Sequence, residues 1–337
     1  MGSCCCKKRP QKKEKEESII PGLSNFEGNC YLNSVLQCFY YCNDLTNYFI
    51  DNEKEIIRNK GLLSNAYLNL ILRLNEKKKY NDAKNFLNAL QEVSFHFFNS
   101  GGNDPKAVLL YLLENLHNEL KEQNSDYNEE DVCCEDINQE AVFQKCKNNE
   151  QCNKSIISDL FSWCLITSNE CIKCGNNHYK CEYKNHILIE LKAYKTLKET
   201  VELSELIKFY FQDNKEYFMC KFNENNDREV FKVTSSKKIM SLPKYLIIIL
   251  NRDIINFTVN YDNIIHLSEY CAEKHKAKYE FVSVSLTNDF GNKKGTHAIS
   301  RCITPKGSFI FNDLKTIESC KDIEGYNPYI LFYKKIK

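Results

Sequence analysis

The sequence predicts an α+β fold, helical in its first half and stranded in its second. Three observations carry that prediction. Residues 30–41 and 105–120 repeat apolar side chains at helical spacing. From residue 187 onward the apolar runs shorten to strand length and become rich in β-branched and aromatic residues. No internal repeat is visible.

The elements follow in order. Residues 1–20 read as a basic, disordered tail, and structure begins near Pro21. The helix over 30–41 places Leu32, Val35, Leu36, Phe39 and Tyr40 at helical intervals. The helix over 105–120 opens with Asp104 as N-cap and Pro105 as first residue, both preferred there. Val108, Leu109, Leu112, Leu113, Leu116 and Leu120 then form a stripe for core packing. Residues 122–140 carry eight acidic residues and no basic one, which predicts a solvated loop or insertion. Strands are expected over 187–191, 230–233, 245–250, 279–286, 308–311 and 329–333.

Composition narrows the function. A chain of 337 residues with 42% hydrophobic and 27% charged residues can bury a sizeable core. Lys and Arg number 46 against 45 Asp and Glu, so the net charge of +1 gives no general attraction to nucleic acid, and no such partner is expected. No apolar run reaches the roughly 18 residues of a membrane span. The N-terminus lacks the apolar core of a secretory signal, so the 18 cysteines read as reduced cytosolic thiols rather than a disulfide scaffold.

The candidate nucleophile is Cys30. Gly28 and Asn29 suit a turn and Asn29 suits an N-cap, which puts Cys30 in the first turn of its helix. Helix-start N–H groups favour a thiolate there, and a thiolate is the form that attacks a carbonyl. Such a nucleophile needs a base, and the base needs a group to orient it. Among seven histidines, His297 follows a glycine-containing loop and precedes a strand-like stretch, while Asn312 and Asp313 follow the next strand. An antiparallel pair would bring His297 and Asn312 side by side.

Residues Gly22 to Gln37 resemble the Cys box of the ubiquitin-specific proteases, G-L-x-N-x-G-N-T-C-Y-x-N-S-x-L-Q, with matches at Gly22, Leu23, Asn25, Cys30, Tyr31, Asn33, Ser34, Leu36 and Gln37. Glu27, Gly28 and Asn29 stand where that family has Gly-Asn-Thr, and Ala298 stands where it has Tyr. Further blocks resemble the family in order: Asp104 to Leu120, Leu242 to Arg252, and Tyr279 to Asp313. The resemblance implies a papain-like cysteine protease fold with a helical thumb over about 21–155, β-rich fingers over about 156–235 and a sheet palm over about 236–337. It implies a deubiquitinase, with Cys30 as nucleophile, His297 as general base and Asn312 orienting it. Asn25 is implied as oxyanion donor, Asp313 as its support, and Asp104 and Gln37 as substrate-binding residues. Ubiquitin or ubiquitinated proteins are the implied partners. The alternatives are a catalytically weak or inactive, membrane-tethered ubiquitin-binding adaptor and a protease for another ubiquitin-like modifier.

No cofactor is implied for the chemistry. The family's fingers carry zinc on two Cys-x-x-Cys pairs, and here Cys171, Cys174 and Cys220 stand at three of the four positions with Asn223 at the fourth. Either Cys181 or His178 completes the set, or the metal is lost and packing alone holds the fingers. The N-terminus carries a separate expectation. Gly2 is a myristoylation position, Cys4, Cys5 and Cys6 are palmitoylation candidates, and a run of lysines and arginine follows. Two such signals together anchor a protein stably, which predicts a peripheral protein on the cytosolic face of a membrane.

Overall fold

The computed structural model describes residues 20–26, 28–76, 81–94, 104–122, 135–136, 138–152, 154–171, 175–219, 230–252, 257–273, 276–288 and 297–336. Gly2, Cys4, Cys5, Cys6, Glu27, Cys174, Cys220 and Asn223 lie outside them.

Helices come first: α1 (Cys30–Tyr40), α2 (Asn43–Asp51), α3 (Glu53–Asn59), α4 (Leu62–Asn75), α5 (Lys84–Val93), α6 (Pro105–Leu120), α7 (Gln139–Cys152) and α8 (Ile156–Phe161). A two-residue strand, β1 (Glu135–Asp136), lies between α6 and α7. A five-stranded antiparallel sheet takes the order β1-β3-β2-β7-β6, built from β2 (Trp163–Cys171), β3 (Asn177–Lys184), β6 (Asn214–Met219) and β7 (Val230–Ile239). An eight-stranded sheet takes β4 (Ile187–Glu190), β8 (Tyr245–Asn251), β10 (Ile264–His266), β11 (Lys278–Asn288), β12 (Ala298–Thr304), β13 (Gly307–Asn312), β14 (Lys315–Glu318) and β15 (Tyr326–Lys335). Its main path runs β14-β13-β12-β11-β15-β8-β4, with β10 paired to β11. A short parallel pair, β5 (Thr200–Glu202) with β9 (Thr258–Asn260), flanks α9 (Leu203–Phe211).

The large sheet is buried on both faces, which explains why its strands read as continuous apolar runs. Ile330 and Phe332 of β15 join the core against the helices, while Leu331 and Tyr333 join a second core on the other face with Leu206 and Ile207 of α9. Phe39 of α1 stacks on Phe161 of α8 at 5.7 Å and meets Phe332 edge-on at 5.9 Å, so one aromatic cluster binds the helical layer to the sheet.

Some expectations change. The helical layer runs on through α8, because Ile157, Leu160 and Phe161 bury into the helical core. Strand β4, expected with the fingers, pairs in parallel with β8 in the large sheet, where Ile187 and Ile189 bury against α9. Within the acidic stretch, Glu135 and Asp136 pair with Lys180 and Tyr179 of β3, and α7 starts at Gln139, so those residues are not a solvated loop. Val142 and Cys146, one helical turn apart, bury against the five-stranded sheet and hold α7 there. No helix among the described residues is long and apolar enough to cross a membrane.

Candidate active site

Helix α1 is buried from Cys30 to Phe39, yet it carries Asn33, Ser34 and Gln37. Buried polar groups need partners, and these partners determine what α1 holds in place. The Asn33 amide donates to the Ser24 carbonyl at 3.1 Å and to Asp313 Oδ1 at 2.9 Å. The Ser34 and Ser285 hydroxyls share a hydrogen bond of 2.9 Å, tying α1 to β11. The Gln37 amide donates to the Pro21 carbonyl at 3.2 Å. Three polar side chains thus fasten the entering chain, the central strand and the β13–β14 turn to one helix.

Cys30 is the first residue of α1 and is 6% exposed. Asn29 occupies the N-cap position without capping: its Oδ1 turns back to accept the Phe26 N–H at 3.0 Å. Gly28 sits at φ +78°, the left-handed region that favours glycine, so the turn into Cys30 depends on it.

His297 immediately precedes β12. Its backbone N–H donates to Asn288 Oδ1 at 2.6 Å and its carbonyl accepts the Asn288 N–H at 3.1 Å, continuing the β11–β12 ladder. Asn312 ends β13, the antiparallel partner of β12. His297 Nε2–H donates to Asn312 Oδ1 at 2.8 Å. The neighbouring Cys30 side chain is the main cause pushing the His297 pKa up to about 9; burial opposes it, and Asn312 and the Asp313 carboxylate add to it. A ring that holds its proton through neutral pH is the ion-pair partner a nucleophilic thiolate requires.

Asp313 turns the chain with φ +53°. Its carboxylate accepts from Asn25 Nδ2 at 3.0 Å and from Asn33, and stands 3.9 Å from His297 Nε2. Its carbonyl accepts the Leu23 N–H at 3.1 Å. Asn25 is exposed, and its bond to Asp313 uses one of two amide hydrogens, leaving one for an oxyanion.

Cys30, His297, Asn312, Asp313 and Asn25 therefore come together, although 267 residues separate Cys30 from His297 (297 minus 30). Gln37 does not join them. It is 2% exposed and faces Pro21, so it has no surface to offer a substrate. Asp104 caps α6 by accepting the Lys106 N–H at 3.0 Å and also accepts the Tyr329 hydroxyl at 2.9 Å, so both carboxylate oxygens already serve the fold. Sequence reasoning assigned no role to Asn33 or Tyr326. The Tyr326 ring meets His297 edge-on at 6.3 Å, and the charges of Cys30 and Asp313, secondary to burial, push its hydroxyl up. No motif marks Tyr326, because it reaches the site only through the pairing of β15 with β11.

For zinc, Cys171 ends β2 and is buried. The register Asn169↔His178 puts His178 on the same face of the sheet as Cys171, two positions along. Cys181 pairs with Ile166 and points to the opposite face, so of the two substitute ligands only His178 is placed to join Cys171.

A family model described as ubiquitin carboxyl-terminal hydrolase matches residues 21–333. The chain belongs to the ubiquitin carboxyl-terminal hydrolase family. This family member is 26% identical over 253 residues to "Probable ubiquitin carboxyl-terminal hydrolase 4" of Schizosaccharomyces pombe, covering 68% of this chain and 41% of the relative. It is 21% identical over 341 residues to ubiquitin carboxyl-terminal hydrolase Usp2 of Drosophila melanogaster, covering 96% and 35%. The chain thus spans less than half the length of these curated relatives. Among solved structures, it resembles the SAGA Ubp8/Sgf11/Sus1/Sgf73 DUB module bound to ubiquitin aldehyde with a TM-score of 0.70 at 16% identity, covering 94% of this chain and 70% of that one. The fold of this family member is accordingly the α+β, papain-like one.

Proposed function

We propose that this chain is a thiol-dependent ubiquitinyl hydrolase that cleaves the isopeptide or peptide bond after the C-terminal glycine of ubiquitin. The observation that carries the reading is the hydrogen-bonded His297–Asn312 pair acting on Cys30 in a chain of this family. The Cys30 thiolate adds to the glycine carbonyl carbon and the electron pair moves onto oxygen. Asn25 and the helix-start N–H groups are the donors available to that oxyanion; losing one such donor costs about 10²–10³-fold in rate. Collapse expels the amine, which takes its proton from His297 and leaves a thioester on Cys30. Water then gives a proton to His297 and its oxygen to the carbonyl, and a second collapse frees ubiquitin and the thiolate. Thiol hydrolysis of this kind needs no cofactor. Asn312 keeps the imidazole oriented with Nε2–H occupied, so its other nitrogen serves the sulfur.

The test is reaction of the purified chain with a ubiquitin C-terminal electrophile, beside Cys30→Ala and His297→Ala. A mass gain of one ubiquitin, absent in Cys30→Ala, supports the reading. Ubiquitin binding without an adduct would turn it to an adaptor, and neither would turn it to another modifier. The location belongs to the same proposal: acylation at Gly2 and at Cys4, Cys5 or Cys6, beside the basic run, holds the enzyme on the cytosolic face of a membrane. Labelling with a clickable myristate analogue checks it, and no Gly2-dependent signal removes the myristoyl part.

A further inference from the structure

Beyond the catalytic site, three cysteines converge on one face of the five-stranded sheet. Cys164 of β2 and Cys181 of β3 are diagonal neighbours there, since Cys164 pairs with Tyr183 and Ile166 with Cys181. Helix α7 covers this face and adds Cys146. The three sulfurs lie within 4.8 Å of one another and the residues are buried, at 4%, 0% and 4% exposed for Cys146, Cys164 and Cys181. Met240 continues β7 opposite Cys164, through a 2.8 Å backbone hydrogen bond, and packs on the cluster.

We propose that Cys146, Cys164 and Cys181 bind a soft divalent cation of the zinc class, at a site separate from the Cys171 end of the sheet. Cys171 lies seven residues from Cys164 on β2, so it points to the opposite face and sits about 23 Å away along the strand. The two sets cannot share one ion.

Ligand chemistry selects the ion. Three thiolates form a soft ligand set, which suits zinc-class ions and rejects magnesium or calcium. Charge selects its valence. Three thiolates leave a net charge of −1 around a divalent ion and −2 around a monovalent one, and a buried site favours the smaller residual charge. Distances fit a small adjustment. A Zn–S bond of about 2.3 Å sets tetrahedral sulfurs about 3.8 Å apart. The Sγ atoms of Cys164 and Cys181 are 2.7 Å apart and must open, and all three sulfurs already lie within 4.8 Å of one another.

Binding reads as three thiols plus M²⁺ giving [M(SR)₃]⁻ plus three protons, with no change of oxidation state. The fourth position remains for a ligand outside the three cysteines. The ion fastens α7 to β2 and β3, so its binding energy adds to the stability of that sheet.

The experiment is a titration of the reduced, metal-free full chain with Cd²⁺, read by thiolate-to-metal absorbance and metal content per chain. The triple variant Cys146→Ser, Cys164→Ser, Cys181→Ser should bind one equivalent fewer than the wild type. Equal stoichiometry overturns the proposal, as does a Cys164–Cys181 disulfide in protein alkylated at lysis. Because the triple variant can lose its fold, wild-type crystals grown with Cd²⁺ give a second reading. An anomalous peak among the three sulfurs is expected, and none there overturns the site.

Discussion

Asn312 gives the sharpest test of how the site is tuned, because two substitutions should move one proton in opposite directions. Its Oδ1 accepts the His297 Nε2–H at 2.8 Å. A hydrogen bond to a charged group is worth about 1.5–3 kcal/mol, and one pKa unit corresponds to about 1.36 kcal/mol. The His297 side chain is 29% exposed, so solvent screening favours the lower end. Asn312→Ala should then lower the His297 pKa by about one unit from its value of about 9. Asn312→Asp should raise it, because a carboxylate beside the ring favours the imidazolium. The sign extends to stability. The folded value lies above the ordinary 6.5, so the proton's contribution is fully present below about 6.5 and is lost as pH rises through about 9. Histidine-selective NMR titration reads the midpoint, with His297→Gln identifying the resonance among seven histidines. Two variants shifting in the same direction, or neither shifting, would refute the account.

Two further predictions concern the frame of the site and the base of the helical layer. A Cβ on Gly22 would stand 2.5 Å from the Asp313 carbonyl oxygen and 2.8 Å from the Leu314 backbone; Gly22→Ala should therefore cost about 1–3 kcal/mol, seen as a lower urea midpoint together with slower reaction with the ubiquitin electrophile. Asp44 accepts from Lys244, from Lys334 at 2.6 Å and from the Tyr245 hydroxyl at 2.6 Å. Burial pushes its carboxyl up, but these bonds outweigh it and hold it well below the usual carboxylate range. The stability it contributes is present above about pH 4 and is lost as pH falls below that; Asp44→Asn should be less stable at neutral pH and flatter in acid, and parallel pH–stability curves would contradict this.

What the sequence made legible follows from how each feature is encoded. Helix α1 and helix α6 announce themselves through local spacing and, for α6, through the Asp104-Pro105 start. The pairing of His297 with Asn312 was readable because both close adjacent strands, so antiparallel pairing alone brings them together. Gln37 misled because a motif position says that a side chain matters, not which way it faces; the helix turns it toward Pro21. The three-cysteine cluster has no motif. Its residues are 18 and 17 apart in the chain (146 to 164, 164 to 181), and only the β2–β3 register together with the packing of α7 gathers them.

Asn33 shows how positioning and chemistry are joined in this site. Its amide holds Asp313 Oδ1, while Asp313 Oδ2 holds Asn25. The same Asp313 residue accepts the Leu23 N–H through its carbonyl, and Gly22 lets the two backbones approach. The proposed oxyanion donor is therefore set by the helix that presents the nucleophile, acting through a residue of the turn that follows Asn312. Cys30, Asn25 and the His297–Asn312 pair are held in one connected frame through Asn33 and Asp313, so a shift of the β13–β14 turn moves donor and base together relative to the sulfur. Such coupling keeps the reacting groups in fixed relation without a metal or a covalent tie, and it explains why a fully buried helix carries amide side chains where leucines would pack as well.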